Sequence, residues 1–161
     1  MTNPLSLLIQ IKNLILFFII SLALSGITAF FVETELRFLI DNFNFGHLIN
    51  NWLYHVHNVL ADLNKKQPFI SYGYDWLAFG HLIIALFFVG ALKKPIENNW
   101  VIRYGMIACV AIFPVAFIAG YFRSIPILWQ IIDCSFGIFG FILLFIINKK
   151  TVQLKKQIQY G

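Results

Sequence analysis

Four long apolar stretches separated by short polar segments dominate the pattern of the chain. They cover about residues 14–32, 75–92, 100–121 and 127–147. An apolar helix of about 20 residues, rising about 1.5 Å per residue, crosses the hydrocarbon core of a bilayer. The pattern therefore predicts an all-α integral membrane protein, a four-transmembrane-helix bundle that forms a single membrane domain over residues 1–161.

A fifth segment, between the first two apolar stretches, has an amphipathic pattern. Apolar residues recur at helical spacing from about residue 46 to 64, while His47 and Asp62 fall on the opposite face. A helix that is polar along one side does not span a bilayer. We therefore expect an amphipathic interfacial helix on the outer side of the bundle. Pro68 and Gly73 are expected to break the chain before the second span.

The composition supports lipid as the solvent of most of the chain. Hydrophobic residues make up 60% and charged residues only 12%, whereas soluble proteins are about half apolar and a quarter charged. The net charge of +5 does not indicate nucleic acid, because the basic residues stand mainly in pairs at the ends of apolar stretches. The partners expected from this pattern are a lipid bilayer and no nucleic acid.

The distribution of basic residues predicts the membrane topology. With four spans, both termini lie on one side, and eight of the 12 basic residues fall on that side. Cytoplasmic loops carry the excess of lysine and arginine, so both termini are expected in the cytoplasm, in a bacterial cytoplasmic membrane. The polar, lysine-rich tail after residue 147 is expected to fray into solvent.

Two ionisable residues inside the predicted spans are the first candidates for function. His81 lies about 9 Å along the second span from Asp75, and Asp133 lies about 10 Å along the fourth from Pro126. The two depths match under this topology. Ionisable groups at such depth are costly in lipid and usually mark functional sites.

Three further polar residues are placed near the same end of the spans. Glu33 ends the first span, Arg123 lies in the turn before the fourth, and Gln130 precedes Asp133 by three residues on the same helix face. Together with His81 they predict a small polar pocket in the outer leaflet that binds a metal ion, a proton or a lipid-soluble ligand such as a quinone. The structural alternative is a hydrogen bond between His81 and Asp133 that fixes helix register.

A metal-dependent membrane hydrolase acting on a lipid is the enzyme alternative. It requires three protein ligands and an open position, and the sequence offers His81 and Asp133 with either His55 or His57. Those two histidines point about 200° apart on a helix, so at most one of them joins the set. The sequence gives less support to haem ligation by two histidines, since only His81 lies inside a span. The cofactor, a metal ion or haem if there is one, stays open.

A third hypothesis is a structural or accessory subunit of a larger membrane complex, or a homo-oligomer. Small residues recur every four positions, as at Ser21, Ser25 and Ala29, and such stripes allow close helix contact. Cys109 and Cys134 both lie within apolar stretches and are interpreted as buried free thiols.

Overall fold

The computed structural model describes residues 3–160, and these residues form six helices joined by short turns. In chain order they are α1 (Pro4–Ala29), α2 (Val32–Asn42), α3 (His47–Lys66), α4 (Pro68–Lys93), α5 (Asn99–Phe122) and α6 (Ile127–Tyr160). Within the described part of the chain, four of them, α1, α4, α5 and α6, are long and apolar enough to cross a membrane. The prediction of an all-helical, four-span membrane protein is confirmed.

Two shorter helices, α2 and α3, lie between the first two spans and pack against each other. The sequence predicted α3 but not α2. The α1 helix ends in a turn at Phe30 and Phe31, and α2 then begins with Glu33 and Glu35 in its first turn. Carboxylates are favourable there because the helix dipole presents partial positive charge at its N-terminus.

The second span begins earlier than predicted. The α4 helix starts at Pro68, so Asp75 lies inside it, and Gly73 is helical. The chain breaks just before Pro68, where α3 has ended at Lys66, whereas the expected break at Gly73 is wrong. Proline lacks only an N–H group that has no partner in the first turn of a helix, and its fixed φ suits that position.

The first span also begins earlier, at Pro4 rather than near residue 14. The side-chain oxygen of Asn3 accepts a hydrogen bond from the N–H of Leu5 at 3.0 Å, which caps the helix. Leu7 and Ile11 are buried at a spacing of four residues. This stripe holds the extra turns in place, although Gln10, Lys12 and Asn13 interrupt the apolar run in the sequence.

The last span continues well past residue 147, and the expected fraying of the tail is wrong. Ile147, Thr151 and Leu154 are buried and repeat at helical spacing. The Thr151 hydroxyl donates to the Ile147 carbonyl at 2.9 Å, so the polar member of the stripe is satisfied. Burial of this stripe offsets the polarity of the surrounding lysines and glutamines.

The described residues fall into two compact units. Unit 1 lies within Met1–Ile20 and Leu86–Gly161, and unit 2 is Ser21–Ala85. The boundaries cross α1 and α4, so each of these helices contributes to both units. The single domain expected from the sequence stays a prediction.

Unit 1 has an apolar core to which parts of α1, α4, α5 and α6 contribute. Its buried members are Leu7, Ile11, Ile15, Phe88, Ala91, Val101, Ile102, Cys109, Leu144, Ile147 and Leu154. The α5 and α6 helices approach closely at Gly137, where a Cβ would lie 2.8 Å from the Cys109 carbonyl oxygen. Cys109 and Cys134 are buried free thiols, as predicted.

Unit 2 contains the end of α1, both short helices and the first part of α4. The α1 and α4 helices meet at Gly26, where a Cβ would lie 2.9 Å from the carbonyl oxygen of Ala78 and 3.0 Å from the Cβ of His81. The closest approach therefore uses Gly26, which lies between the small residues that the sequence singled out.

Candidate functional site

Three polar side chains from three helices of unit 2 form one hydrogen-bonded chain. The Ser71 hydroxyl on α4 donates to the side-chain oxygen of Asn64 near the end of α3. The Asn64 amide then donates to the carboxylate of Glu33 in the first turn of α2. Because each group belongs to a different helix, this chain fixes α2, α3 and α4 at one end of the unit.

A cleft of about 170 Å³ opens beside this chain and has room for about five water molecules. It is lined by Ala29, Phe30, Phe31, Val32, Glu33, Thr34, Leu60, Asn64, Ser71, Tyr74 and Asp75. We call it the Glu33 cleft. It combines two carboxylates with two hydroxyls, an amide and a phenol, beside the ends of two membrane-spanning helices.

The two carboxylates of the Glu33 cleft have different surroundings. Glu33 is half-buried and accepts the hydrogen bond from Asn64, whereas Asp75 is exposed and makes no hydrogen bond or ion pair with any residue between 3 and 160. Lys66, at the end of α3, donates to Asp62 at 2.7 Å, and this bond lowers the pKa of Asp62. That lysine is therefore engaged elsewhere, and Asp75 is available to a positively charged or hydrogen-bond-donating group.

His81 is half-buried in unit 2 and is bonded to its own helix. Its Nδ1–H donates to the Leu77 carbonyl at 2.9 Å. The carbonyl is only an acceptor, so this bond places the proton of a neutral ring on Nδ1 and leaves Nε2 as an acceptor. His81 thus retains one ring nitrogen for a ligand or a proton.

The other predicted site residues belong to unit 1. Gln130 is buried, and its amide donates to the Ile125 carbonyl at 2.7 Å while its side chain packs against Gly120. It closes the turn between α5 and α6. Arg123 and Asp133 are both exposed, and neither makes an ion pair within the described residues.

Glu33 and His81 therefore lie in unit 2, whereas Asp133, Arg123 and Gln130 lie in unit 1. The pocket that the sequence predicts among these five residues stays a prediction. Of the five, the structure brings Glu33 into a cleft with polar neighbours.

The remaining histidines lie on α3. The His55 ring is exposed and 5.6 Å from the ring of Trp52, while His57 is half-buried with its Nδ1 3.4 Å from the Asn58 side-chain oxygen. Across the described part of the chain, no three histidine, cysteine, aspartate or glutamate side chains form a group that could hold a metal ion.

Sequence reasoning missed Asn64, Ser71, Tyr74 and Asp75 as lining residues. A signal was available, since Ser71 and Asp75 are four residues apart and share a helix face once α4 starts at Pro68. Placing the helix start at Asp75 concealed that spacing.

Comparison of the chain with protein-family models, curated proteins and solved structures finds no match. The function is therefore argued from the geometry of the site.

Replacement of Asp133 tests whether this exposed carboxylate is an unsatisfied charge in a span. Aspartate costs about 2.5–3.5 kcal/mol at the centre of a membrane helix, and leucine is slightly favourable. Since Asp133 lies near one end of α6, we expect Asp133→Leu to favour membrane insertion of the α6 segment by about 2 kcal/mol. A translocon insertion assay on that segment measures the difference.

The Asp133→Asn variant is the matched control and is expected to give an intermediate value. In the full chain, loss of stability in Asp133→Leu would show that the carboxylate has a partner in the membrane.

Proposed function

We propose that this four-span protein is a membrane-embedded binding protein that holds the polar head of a lipid-soluble ligand in the Glu33 cleft. The observation that carries the proposal is the Asp75 carboxylate, which lines the cleft without a protein partner beside the hydrogen-bonded Glu33. A cavity with two carboxylates favours a ligand that carries positive charge or donates hydrogen bonds.

The position of the cleft is consistent with a ligand that arrives from the bilayer. Its walls include the ends of α1 and α4, which are long and apolar enough to cross a membrane. The excess of basic residues on the side of the termini supports cytoplasmic termini. The cleft then faces the outer leaflet of a bacterial cytoplasmic membrane.

The metal-dependent hydrolase is less well supported than binding. It needs three ligands from the protein. No such group is present among residues 3–160. The hypothesis of an accessory subunit rests on stripes of small residues, whereas the small residues Gly26 and Gly137 pack inside the chain.

Native mass spectrometry of protein purified in mild detergent tests the proposal. We expect a small molecule to copurify with the wild type, and its occupancy to fall at least about tenfold in Glu33→Gln, because loss of one charged hydrogen-bond partner costs about 1.4 kcal/mol or more. The control is Glu35→Gln, which removes a carboxylate from the same turn of α2 but not from the cleft wall.

His81→Ala provides the opposing arm of the same experiment. If the molecule is lost in His81→Ala and retained in Glu33→Gln, the site is the His81 pocket predicted from the sequence. A wild-type protein without any bound molecule would contradict both.

A further inference from the structure

A second groove of unit 2 adjoins the Glu33 cleft and has a different lining. It is a shallow, open depression of about 280 Å³ lined by Phe30, Tyr72, Asp75, Trp76 and Phe79. Four of these five residues are aromatic, and Asp75 is the one charged group among them. Phe30 and Asp75 line both the groove and the Glu33 cleft, so the apolar groove and the polar cleft adjoin at these two residues. We call this second cavity the aromatic groove.

The rings of the aromatic groove are arranged edge to face. Tyr72 and Trp76 have ring centroids 6.0 Å apart and planes at 86°, and Trp76 and Phe79 are 6.1 Å apart at 88°. The four aromatic side chains are exposed, so the groove opens to the protein surface and a ligand can reach the rings.

Aromatic residues at the end of a membrane span usually form part of the interfacial belt, which needs no ligand. The belt does not account for an exposed aspartate, unpaired among residues 3–160, at the border between the rings and the Glu33 cleft. Aromatic faces and a carboxylate each attract cations, and together they are the elements that bind quaternary ammonium groups. The surrounding residues between 3 and 160 supply no cation to Asp75.

We propose that the ligand of this site is an alkylammonium amphiphile, with its ammonium group between Asp75 and the rings and its chain along the aromatic groove. This inference rests on the proposed function and specifies its ligand class. The Glu33 cleft takes the remaining polar part of the head, through Glu33 and Tyr74. The ammonium group comes either from a free amphiphilic amine or from a lipid headgroup such as that of phosphatidylcholine.

The test is calorimetric titration of the full chain in phosphatidylglycerol nanodiscs, which contain no ammonium headgroup. The probes are dodecyltrimethylammonium and the uncharged 1-dodecanol, which separate the contribution of the charge from that of the chain. After subtraction of binding to protein-free nanodiscs, which attract the cation by themselves, we expect the ammonium probe to bind the wild type at least about tenfold more tightly than the alcohol. Equal affinities for the two probes would overturn the proposal.

Two variants separate the carboxylate from the rings. Asp75→Asn is expected to lower the affinity for the ammonium probe about tenfold and to leave the affinity for the alcohol unchanged. Asp75→Glu keeps the charge and is expected to bind the ammonium probe as the wild type does. Trp76→Leu replaces the ring by a smaller apolar side chain, so it should weaken binding of the ammonium probe, by about threefold to tenfold, more than binding of the alcohol. Glu35→Gln is the control and should bind both probes as the wild type does.

The source of the ammonium group is decided by changing the lipid. Because phosphatidylglycerol also attracts the cationic probe to the bilayer surface, the comparison uses only the part of the binding that Asp75→Asn removes. If that part is smaller in phosphatidylcholine nanodiscs, the lipid headgroup competes for the site, and if it is equal in both lipids, the occupant is a free amphiphilic amine.

Failure of the ligand class is distinguishable from failure of the cleft. If Glu33→Gln loses the copurifying molecule while Asp75→Asn leaves the ammonium probe unaffected, the cleft binds a ligand of another class. If Glu33→Gln retains the copurifying molecule and Asp75→Asn binds the ammonium probe as the wild type does, both proposals are wrong.

Discussion

Leucine in place of Gly137 is expected to separate α5 from α6 and to destabilise the protein by more than about 3 kcal/mol. A Cβ at this position would lie 2.8 Å from the Cys109 carbonyl oxygen, which belongs to the backbone and cannot rotate away. The rest of the leucine side chain would enlarge the clash. Backbone separation would also open the packing around Cys109, which contacts Gly140 one turn further along.

The matched control is leucine at Gly80 on α4, where a Cβ would have no atom within 4 Å. Since leucine favours a helix more than glycine does, Gly80→Leu should stabilise the protein by about 0.5–1 kcal/mol. Equilibrium denaturation in mixed micelles measures both free energies of unfolding. Equal effects of the two substitutions would show that α5 and α6 are not in close contact at Gly137.

The second large effect is expected at Leu154, in the part of α6 that the sequence predicted to fray. Leu154 is 2% exposed and belongs to the core of unit 1. Leu154→Ala removes buried methyl groups and leaves a cavity, so we expect a loss of about 3 kcal/mol. The end of α6 should open more often as a result, because the same stripe holds it in place.

Limited trypsin digestion reports that opening directly. Lys155 and Lys156 are exposed cleavage sites next to Leu154, and trypsin requires local unfolding of the helix to cut there. Faster cleavage in Leu154→Ala than in the wild type supports the packed tail. Ile158→Ala is the control, since Ile158 is 64% exposed. Fast cleavage of the wild type would show that the tail is frayed, as the sequence predicted.

The helix ends show where reasoning from local pattern was insufficient. Pro68, read as a breaker, begins α4, and the lysine-rich segment after residue 147 stays helical because Thr151 and Leu154 are buried. In the tail, burial of this stripe supplies the free energy that sustains the helix despite the local polarity. At Pro68 the first turn of a helix accommodates a proline without losing a hydrogen bond.

The candidate site was predicted only in part. Glu33 was named as a polar group at the end of a span, and the structure adds Asn64 as its hydrogen-bond partner. Nothing in the sequence pairs two residues that are 31 positions apart, because their contact depends on how α2 and α3 pack. Gln130 was also named, and the structure shows that its amide donates to the Ile125 carbonyl in the turn between α5 and α6.

By itself the sequence determined that this is a four-span helical membrane protein with an amphipathic helix between the first two spans. Span length and hydropathy are properties of consecutive residues, and lipid imposes them on each helix separately. Only the tertiary structure decided that Glu33, Asn64 and Ser71 form one hydrogen-bonded chain, and that Asp75 joins a polar cleft to an aromatic groove. Those contacts arise from side chains on different helices, and their geometry depends on packing that no local pattern encodes.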